Sequence, residues 1–367
     1  MAKYIYQYHQ WPKLTWDDKE IHVTLGLVRH LQGKVLGQMA SLGFSIKEEA
    51  ILSTLTLDVL KSSEIEGEML NYEQVRSSIA RKLGLEYAGL LHVDRNVEGV
   101  VEMMLDATQK YNEPLDHERL FGWHAALFPT GWSGMHRIDA GCYRKGEMQV
   151  VSGPMGREKI HYQAPPPECV KQEMDAFLNW SNGETEIDVV LKAAIAHFWF
   201  IIIHPFDDGN GRIARAIADM QLARSEDSSQ RFYSLSSEIL IEKKGYYEVL
   251  QKVQYSSGDI TEWLYWFLNC MHRALMVTDE TMKRVLQKTN FWDKHKETDI
   301  NSRQRLMLNK LYDGFDGKLT SSKWAKIAKC SADTALRDIK DLVEKGILKQ
   351  EEQGGRSTNY QMIETNY

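Results

Sequence analysis

Twelve consecutive positions, His204-Pro205-Phe206-Asp207-Asp208-Gly209-Asn210-Gly211-Arg212-Ile213-Ala214-Arg215, hold a base, acids, an amide between two glycines and two arginines. These are the parts needed to bind a metal-complexed polyphosphate and to deprotonate a hydroxyl beside it. Histidine titrates near neutrality and suits the role of general base. Carboxylate oxygen suits Mg2+, and arginines with backbone amides neutralise phosphate charge. Gly209 and Gly211 permit positive φ or a close backbone approach. Phe206 is an apolar plug in a polar loop, expected to anchor that loop in the core.

The neighbouring chain says how these groups are held. Leu191–Ile203 reads LKAAIAHFWFIII, apolar on nearly every side apart from Lys192 and His197. That pattern predicts a helix in the middle of a domain, with His197 a core histidine. Pro205 takes His204 out of the helical region and ends the helix. A second helix is expected from Gly211 or Arg212, with Ile213, Ile217 and Met220 on one face. Free N–H groups at its start, with the helix dipole, make a phosphate seat. Arg212 and Arg215 lie on one face of the first turn, where a cation opposes the dipole by about 0.3–1 kcal/mol. A local rule broken twice in one turn points to a ligand. The alternative is a capping cluster in which Asp207, Asp208 and the arginines pair together; it leaves His204 and both glycines unexplained.

HPFDDGNGRIAR resembles the signature of the Fic (filamentation-induced-by-cAMP) family, H-P-F-x-[DE]-G-N-G-R-x-x-R, at every fixed position. The resemblance implies a protein adenylyltransferase that moves AMP from ATP to a Ser, Thr or Tyr hydroxyl of a target protein or of itself. His204 would be the base and Asp208 the Mg2+ ligand. Asn210 with the Gly209 and Gly211 amides would cradle the phosphates, and Arg212 and Arg215 would neutralise pyrophosphate. Further upstream, Ser62-x-x-x-Glu66-Gly67 resembles the inhibitory helix of self-restrained Fic proteins, [ST]-x-x-x-E-[GN]. Glu66 would then pair with Arg215 and obstruct the γ-phosphate; the same glutamate could instead orient water for AMP removal. Read alone, the segment is equally an acidic helix end with Gly67 as its cap.

Alternation in Gln149–Ser152 and Ile160–Gln163, around Gly153-Pro154-Met155-Gly156, predicts a β-hairpin. It resembles the Fic flap, which receives a target segment as an added strand; Ser152 and Gly153 are its expected nucleotide contacts. Tyr246 in Gly245-Tyr246-Tyr247 resembles the family's aromatic neighbour of the nucleotide, though an aromatic pair there is also plain core.

The fold expected is mainly α: a Fic-type helical core (101–290) with the flap, a helical N-terminal extension (1–100) and a C-terminal winged helix-turn-helix (299–367). Thr15 and Asp18 suggest a capping-box start to an early helix, and 291–298 reads as a charged linker. After it come helices over Arg303–Tyr312, over Ser321–Ala328 with Ser321 as cap, and over Ala332–Lys345. A glycine-tipped hairpin follows. The third of these helices carries Thr334, Arg337 and Lys340 but also Asp333, Asp338, Asp341 and Glu344. The cationic excess that phosphate contact needs is missing, so DNA, a protein or a second copy of the chain stand as alternatives for it. A net charge of −6 over 367 residues argues against a nucleic-acid coat, and four scattered cysteines fit reduced thiols in a cytoplasm. No apolar run reaches membrane-spanning length, and the N-terminus lacks a signal-peptide core.

Overall fold

Three helices open the chain: α1 (Asp18–Ala40), α2 (Phe44–Ile65) and α3 (Tyr72–Lys82). In this computed structural model, residues 3–85, 92–152, 159–312, 315, 317–351 and 358–363 are described. Asp17, not Thr15, caps α1, its side chain accepting the Lys19 N–H at 2.9 Å. Thr15 is committed elsewhere, because its backbone pairs with Gly258 and Ile260. α4 (Arg95–Gln109) and α5 (His117–Leu127) then cross at Gly99, where any side chain would strike the Ala126 carbonyl.

Two short antiparallel pairs follow: β1 (Trp132–Ser133) with β2 (His136–Arg137), and β3 (Gln149–Ser152) with β4 (Lys159–Gln163). The second is the expected hairpin. Its register breaks between Val150 and Val151, and its tip, Gly153 included, lies outside the described residues. β4 is fastened down by Tyr162, whose buried hydroxyl donates to Ile202 O at 2.6 Å.

Next come α6 (Val170–Asn182), α7 (Val189–Ile203), α8 (Asn210–Glu226), α9 (Leu235–Ile241), α10 (Lys243–Gln254) and α11 (Thr261–Lys294). α7 is the hub. Val190 through Ile203 are all buried, as an all-round apolar helix requires. Its one lysine, Lys192, extends to the Gly183 carbonyl at 2.7 Å, keeping its charge at the edge of the apolar interior. α8 packs along α7 through Ile213, Ile217 and Met220 and the small alanines between them, all of them buried. Among the described residues the strands occur only as two-stranded pairs, so the architecture is mainly helical. No helix of the described residues is long and apolar enough to cross a membrane.

A buried polar knot ties α2 to α8 and α9. Arg231 donates to Asp219 of α8 at 2.9 Å and to Glu226 at 3.2 Å, while Asp58 of α2 accepts from Ser234 Oγ at 2.6 Å and from the Ser236 N–H. Tyr233 adds a short hydrogen bond to Glu226. Three carboxylates surround one guanidinium in a site closed to water. Desolvation pushes the Asp58 and Asp219 carboxyls upward, and their mutual repulsion adds to the rise at Asp219, which reaches about 8.

The chain divides into two compact units, 1–279 and 280–367. That division does not separate 1–100 from the residues after it, and it falls earlier than the linker expected at 291–298. The difference has a physical cause: Phe291 and Trp292 lie in helix and pack with the C-terminal unit's own core of Met307, Leu308, Leu319, Trp324 and Ile339. That unit continues with α12 (Ser302–Tyr312), α13 (Ser321–Ile327), α14 (Ala332–Glu344), β5 (Leu348–Gln350) and β6 (Tyr360–Met362). Thr320 rather than Ser321 caps α13, accepting from Lys323 N, and Ser331 caps α14. Gly346, at φ +67°, turns the chain from α14 into β5. Asp338 of α14 faces inward, held by Arg303 and Asn301. All four cysteines are free thiols.

The polar knot makes stability depend on pH. Asp219 binds a proton more tightly folded than unfolded, so the stability it contributes is full below about pH 4 and is lost as the pH rises towards 8. The thermal midpoint should therefore fall between pH 5 and pH 8, and Asp219→Asn should flatten that fall. Parallel melting curves of both proteins check this; equal slopes would contradict it.

Candidate active site

The α7–α8 connection turns on three backbone choices. His204 closes α7 in the left-handed region (φ 49°, ψ 59°), a conformation that costs a non-glycine residue energy and is common at functional sites. Gly209, at φ +78°, starts α8; a side chain there would press on the Phe128 ring. α8 thus begins at Asn210, one residue earlier than the motif suggested. Between these points Phe206 is fully buried, stacked on His124 with centroids 4.3 Å apart.

His204 Nδ1 lies 3.2 Å from Ile201 O. A carbonyl can only accept, so Nδ1 carries the proton and Nε2 is left with a lone pair. Burial holds the ring below the usual imidazole range, with Arg144 acting in the same direction and the Ile201 contact, Glu66 and Asp208 opposing it. A neutral ring with a free acceptor nitrogen, lining a cavity, is suited to taking a proton.

Asp208 also lines the cavity. Its Oδ1 accepts the Gly209 N–H at 2.6 Å and its Oδ2 the Ser133 hydroxyl. Asn210 corrects an expectation. Its side chain is spent on the loop itself, accepting from Phe206 N at 3.0 Å and donating to Phe206 O at 2.8 Å. It clamps the turn, and the Gly209 amide is taken by Asp208. The N–H groups that stay without an intrahelical carbonyl are those of Asn210, Gly211 and Arg212. As to a metal, no group of three or more His, Cys, Asp or Glu side chains forms a cage among the described residues. Mg2+ held with a polyphosphate needs only one or two carboxylates beside the phosphate oxygens, and Asp208 fits that demand.

Arg212 and Arg215 are 2% and 1% exposed. Arg215 donates from Nε to Ser62 Oγ at 2.9 Å, and from Nη2 to Ser62 O and Glu66 Oε1, both at 2.8 Å. Arg212 reaches Glu68 at 2.6 Å and sits over the Phe128 ring. Among the described residues, Arg215 Nη1 and Arg212 Nε are buried donors with no hydrogen-bond partner, an expensive state that an anion would relieve. The pairing of Asp207 and Asp208 with these arginines, the alternative reading of the motif, does not occur among the described contacts. Glu66 is the C-cap of α2 and Gly67, at φ +85°, turns the chain just past it. The cap and the Glu66 contact are compatible: the turn delivers the carboxylate. Gly211 has no room for a side chain because Glu66 Oε1 fills that space.

These groups surround a cavity of about 590 Å³ lined by Glu66, His204, Asp208, Asn210, Gly211, Tyr246 and Tyr247, with Val150, Val151 and Tyr162 of the hairpin. Tyr246 is buried and its hydroxyl lies 2.8 Å from His197 Nε2; the other nitrogen of His197 has no partner. Ser152 ends β3; Gly153 lies outside the described residues. His161 O is taken by Tyr255 at 2.8 Å on the β4 side of the hairpin, while Val150 and Val151 of β3 are exposed.

Arg144 was not singled out by its own chemistry, yet it organises the site. Its backbone N–H bonds Pro205 O at 2.9 Å, and its guanidinium donates to His204 O, Gly146 O and Pro165 O at 2.8, 2.9 and 2.6 Å. One buried fork thus joins the base's own peptide to the foot of the hairpin. An isolated arginine after Cys-Tyr carries no spacing that reveals this. Glu68, two residues past Glu66, was likewise missed, although its place after the Glu66-Gly67 pair could have suggested it.

Residues 114–222 match the model of the "Fic/DOC family", and residues 4–85 that of a "Domain of unknown function (DUF4172)". A protein of Aquifex aeolicus (strain VF5), named "Probable protein adenylyltransferase aq_aa38", is 33% identical over 113 residues, 31% of this chain and 32% of that protein. "Protein adenylyltransferase Fic" of Nematostella vectensis is 24% identical over 241 residues, 62% of this chain and 49% of the other. The chain therefore spans about half or less of these curated relatives. The crystal structure of a Fic family protein from Desulfovibrio desulfuricans G20 aligns over 97% of this chain and 99% of that one, with TM-score 0.54 and 20% identity. That likeness is one of fold.

Arg144→Met would leave the carbonyls of His204, Gly146 and Pro165 without their donor. Denaturant unfolding should show a loss of about 2–4 kcal/mol, with Arg144→Lys intermediate because ammonium lacks the planar fork. A loss below about 0.5 kcal/mol, the range of ordinary surface changes, would contradict the role assigned to Arg144.

Proposed function

We propose that this chain, a Fic family protein through its domain at residues 114–222, transfers AMP from ATP to a hydroxyl side chain of a target protein and is restrained by Glu66. The observation that supports this best is a conjunction in one cavity. A neutral, accepting His204 and the Asp208 carboxylate lie on its wall, and at its end Glu66 clasps the buried Arg215.

In this reading the target hydroxyl gives its proton to His204 Nε2 as its oxygen bonds to the α-phosphorus. The bond from that phosphorus to the bridging oxygen breaks, and pyrophosphate leaves. Arg212, Arg215 and the free N–H groups at the start of α8 take up the developing charge, in a site already shaped for an anion. Asp208 would hold Mg2+ together with phosphate oxygens, a metal that supplies charge neutralisation. Ser133 would then release Asp208 Oδ2. The exposed face of β3, with Val150 and Val151, is the edge on which an extended target segment would add a strand. Arg144 keeps His204 aimed by holding its carbonyl. Glu66 occupies the guanidinium that a γ-phosphate would use, since a carboxylate and a phosphate satisfy the same donors.

The C-terminal unit is proposed to be a winged helix that docks on protein. Its three helices and hairpin are in the required order, but exposed Asp333 and Glu344 and half-buried Asp341 offset Arg337 and Lys340 on α14, which disfavours a phosphate backbone.

The test is labelling of lysate and of the chain itself with α-labelled ATP, and in parallel with labelled UTP, GTP and CTP. Glu66→Gly should raise ATP-dependent labelling. His204→Ala in that background should reduce it by about 10²–10⁴-fold while leaving ATP affinity within about threefold, or ~0.7 kcal/mol. Equal labelling by the His204→Ala protein, or labelling by another nucleotide in preference to ATP, would reject the reading.

A further inference from the structure

The turn that carries Glu66 carries a second acid with an arginine of its own. α2 ends in a left-handed cap in which the N–H groups of Glu66 and Glu68 both return to Ser63 O at 3.0 Å, and Gly67 between them has φ +85°. The cap lays Glu68 against the start of α8, where its Oε2 accepts from Arg212 Nη1 at 2.6 Å. The pair is unequal. The Arg212 side chain is 2% exposed, lies over the Phe128 ring at 5.0 Å and has a partnerless Nε, whereas Glu68 is 45% exposed. A surface acid reaches down to a cation that the fold has already buried. The bridge is therefore not a meeting of two solvated ends.

We propose that Glu68 is a second restraining carboxylate: it holds Arg212 as Glu66 holds Arg215, so that a single helix turn closes both guanidiniums to a triphosphate. The inference rests on the transferase reading for what those arginines would otherwise bind. Two features carry it. Both arginines belong to the first two turns of α8, near the helix end where a cation is unfavourable unless an anion offsets it, and both anions come from one cap of three residues. Because the cap's three N–H groups bond only Ser63 O and Glu64 O, unwinding that turn releases both acids together. Removing Glu66 alone leaves Arg212 claimed. Full release requires the loss of both.

The experiment uses the full chain with Mg2+, comparing ATP and AMP binding by calorimetry for the parent, Glu68→Ala and Glu68→Gln, with melting curves to confirm folding. AMP lacks the two outer phosphates and serves as the internal control. Both variants should bind ATP about fivefold more tightly, the gain being limited by the exposure of Glu68, and AMP with unchanged affinity. The Glu66→Gly/Glu68→Ala protein should label faster than Glu66→Gly alone. ATP affinity that is unchanged or weaker in folded Glu68→Gln overturns the proposal, since Glu68 would then merely steady Arg212. If Glu66→Gly labels targets while Glu68 variants bind ATP like the parent, the second restraint fails and the transferase stands. If ATP tightens but no variant transfers a nucleotide, the second restraint stands and the transferase reading fails.

Discussion

Two arginines buried in the first two turns of a helix are the constraint on which the rest of this molecule depends. Arg212 and Arg215 are almost fully enclosed, at the helix end whose dipole repels cations. Charge taken out of water there has to be met by an anion. The chain meets it with Glu66 and Glu68 from the turn that follows α2, aided by Ser62 of α2, and among the described residues still leaves two guanidinium nitrogens without a hydrogen-bond partner. A site that its own carboxylates fill only in part is suited to exchange them for a ligand richer in oxygen. In the proposed reading, the stability of the resting fold and the availability of the site are set by the same ion pairs.

The proposed exchange would need a rigid floor and a lid able to move, and the two sides of the site are held by different kinds of contact. The floor is apolar: α7 is enclosed on all sides, α8 lies along it through small residues, and Phe206 and Asn210 clamp the loop between them from inside and from its own backbone. The lid is polar. The end of α2 and the turn after it meet α8 through polar contacts, with Asp58 at the knot beneath, Ser62 and Glu66 on Arg215, and Glu68 on Arg212. Hydrogen bonds of this kind are individually modest, so the end of α2 can detach at lower cost than any part of α7. The Asp58 knot lies two turns further into α2 than Glu66, where it would hold the helix while its last turn moves.

The motif could be read from the sequence because its residues break local rules. Histidine before proline, glycines around an amide and arginines in a helix's first turn have no economical folding explanation, and Leu191–Ile203 announced a buried helix by being apolar on every side. The hairpin was legible from alternation. What stayed hidden depends on tertiary partners. Arg144 acts through carbonyls sixty residues away at His204 and twenty-one away at Pro165, distances over which composition carries no signal. Asn210 was expected at phosphate; its side chain closes its own loop, since an amide serves either purpose equally, while its backbone N–H stays at the start of α8. Thr15 and Ser321 resembled caps, but neighbours one or two residues away had the freer oxygen. Phe291 and Trp292 were taken with the charges beside them, although two aromatic rings on a helix face belong to a core.

The most direct measurement of the central claim is a structure of the Glu66→Gly protein with ATP and Mg2+ bound. The account predicts phosphate oxygens within hydrogen-bonding distance of the Arg215 guanidinium, in the space the Glu66 carboxylate occupies now, with His204 Nε2 facing the α-phosphate. Nucleotide bound away from α8, or triphosphate filling the cavity with no contact to Arg215, would contradict it.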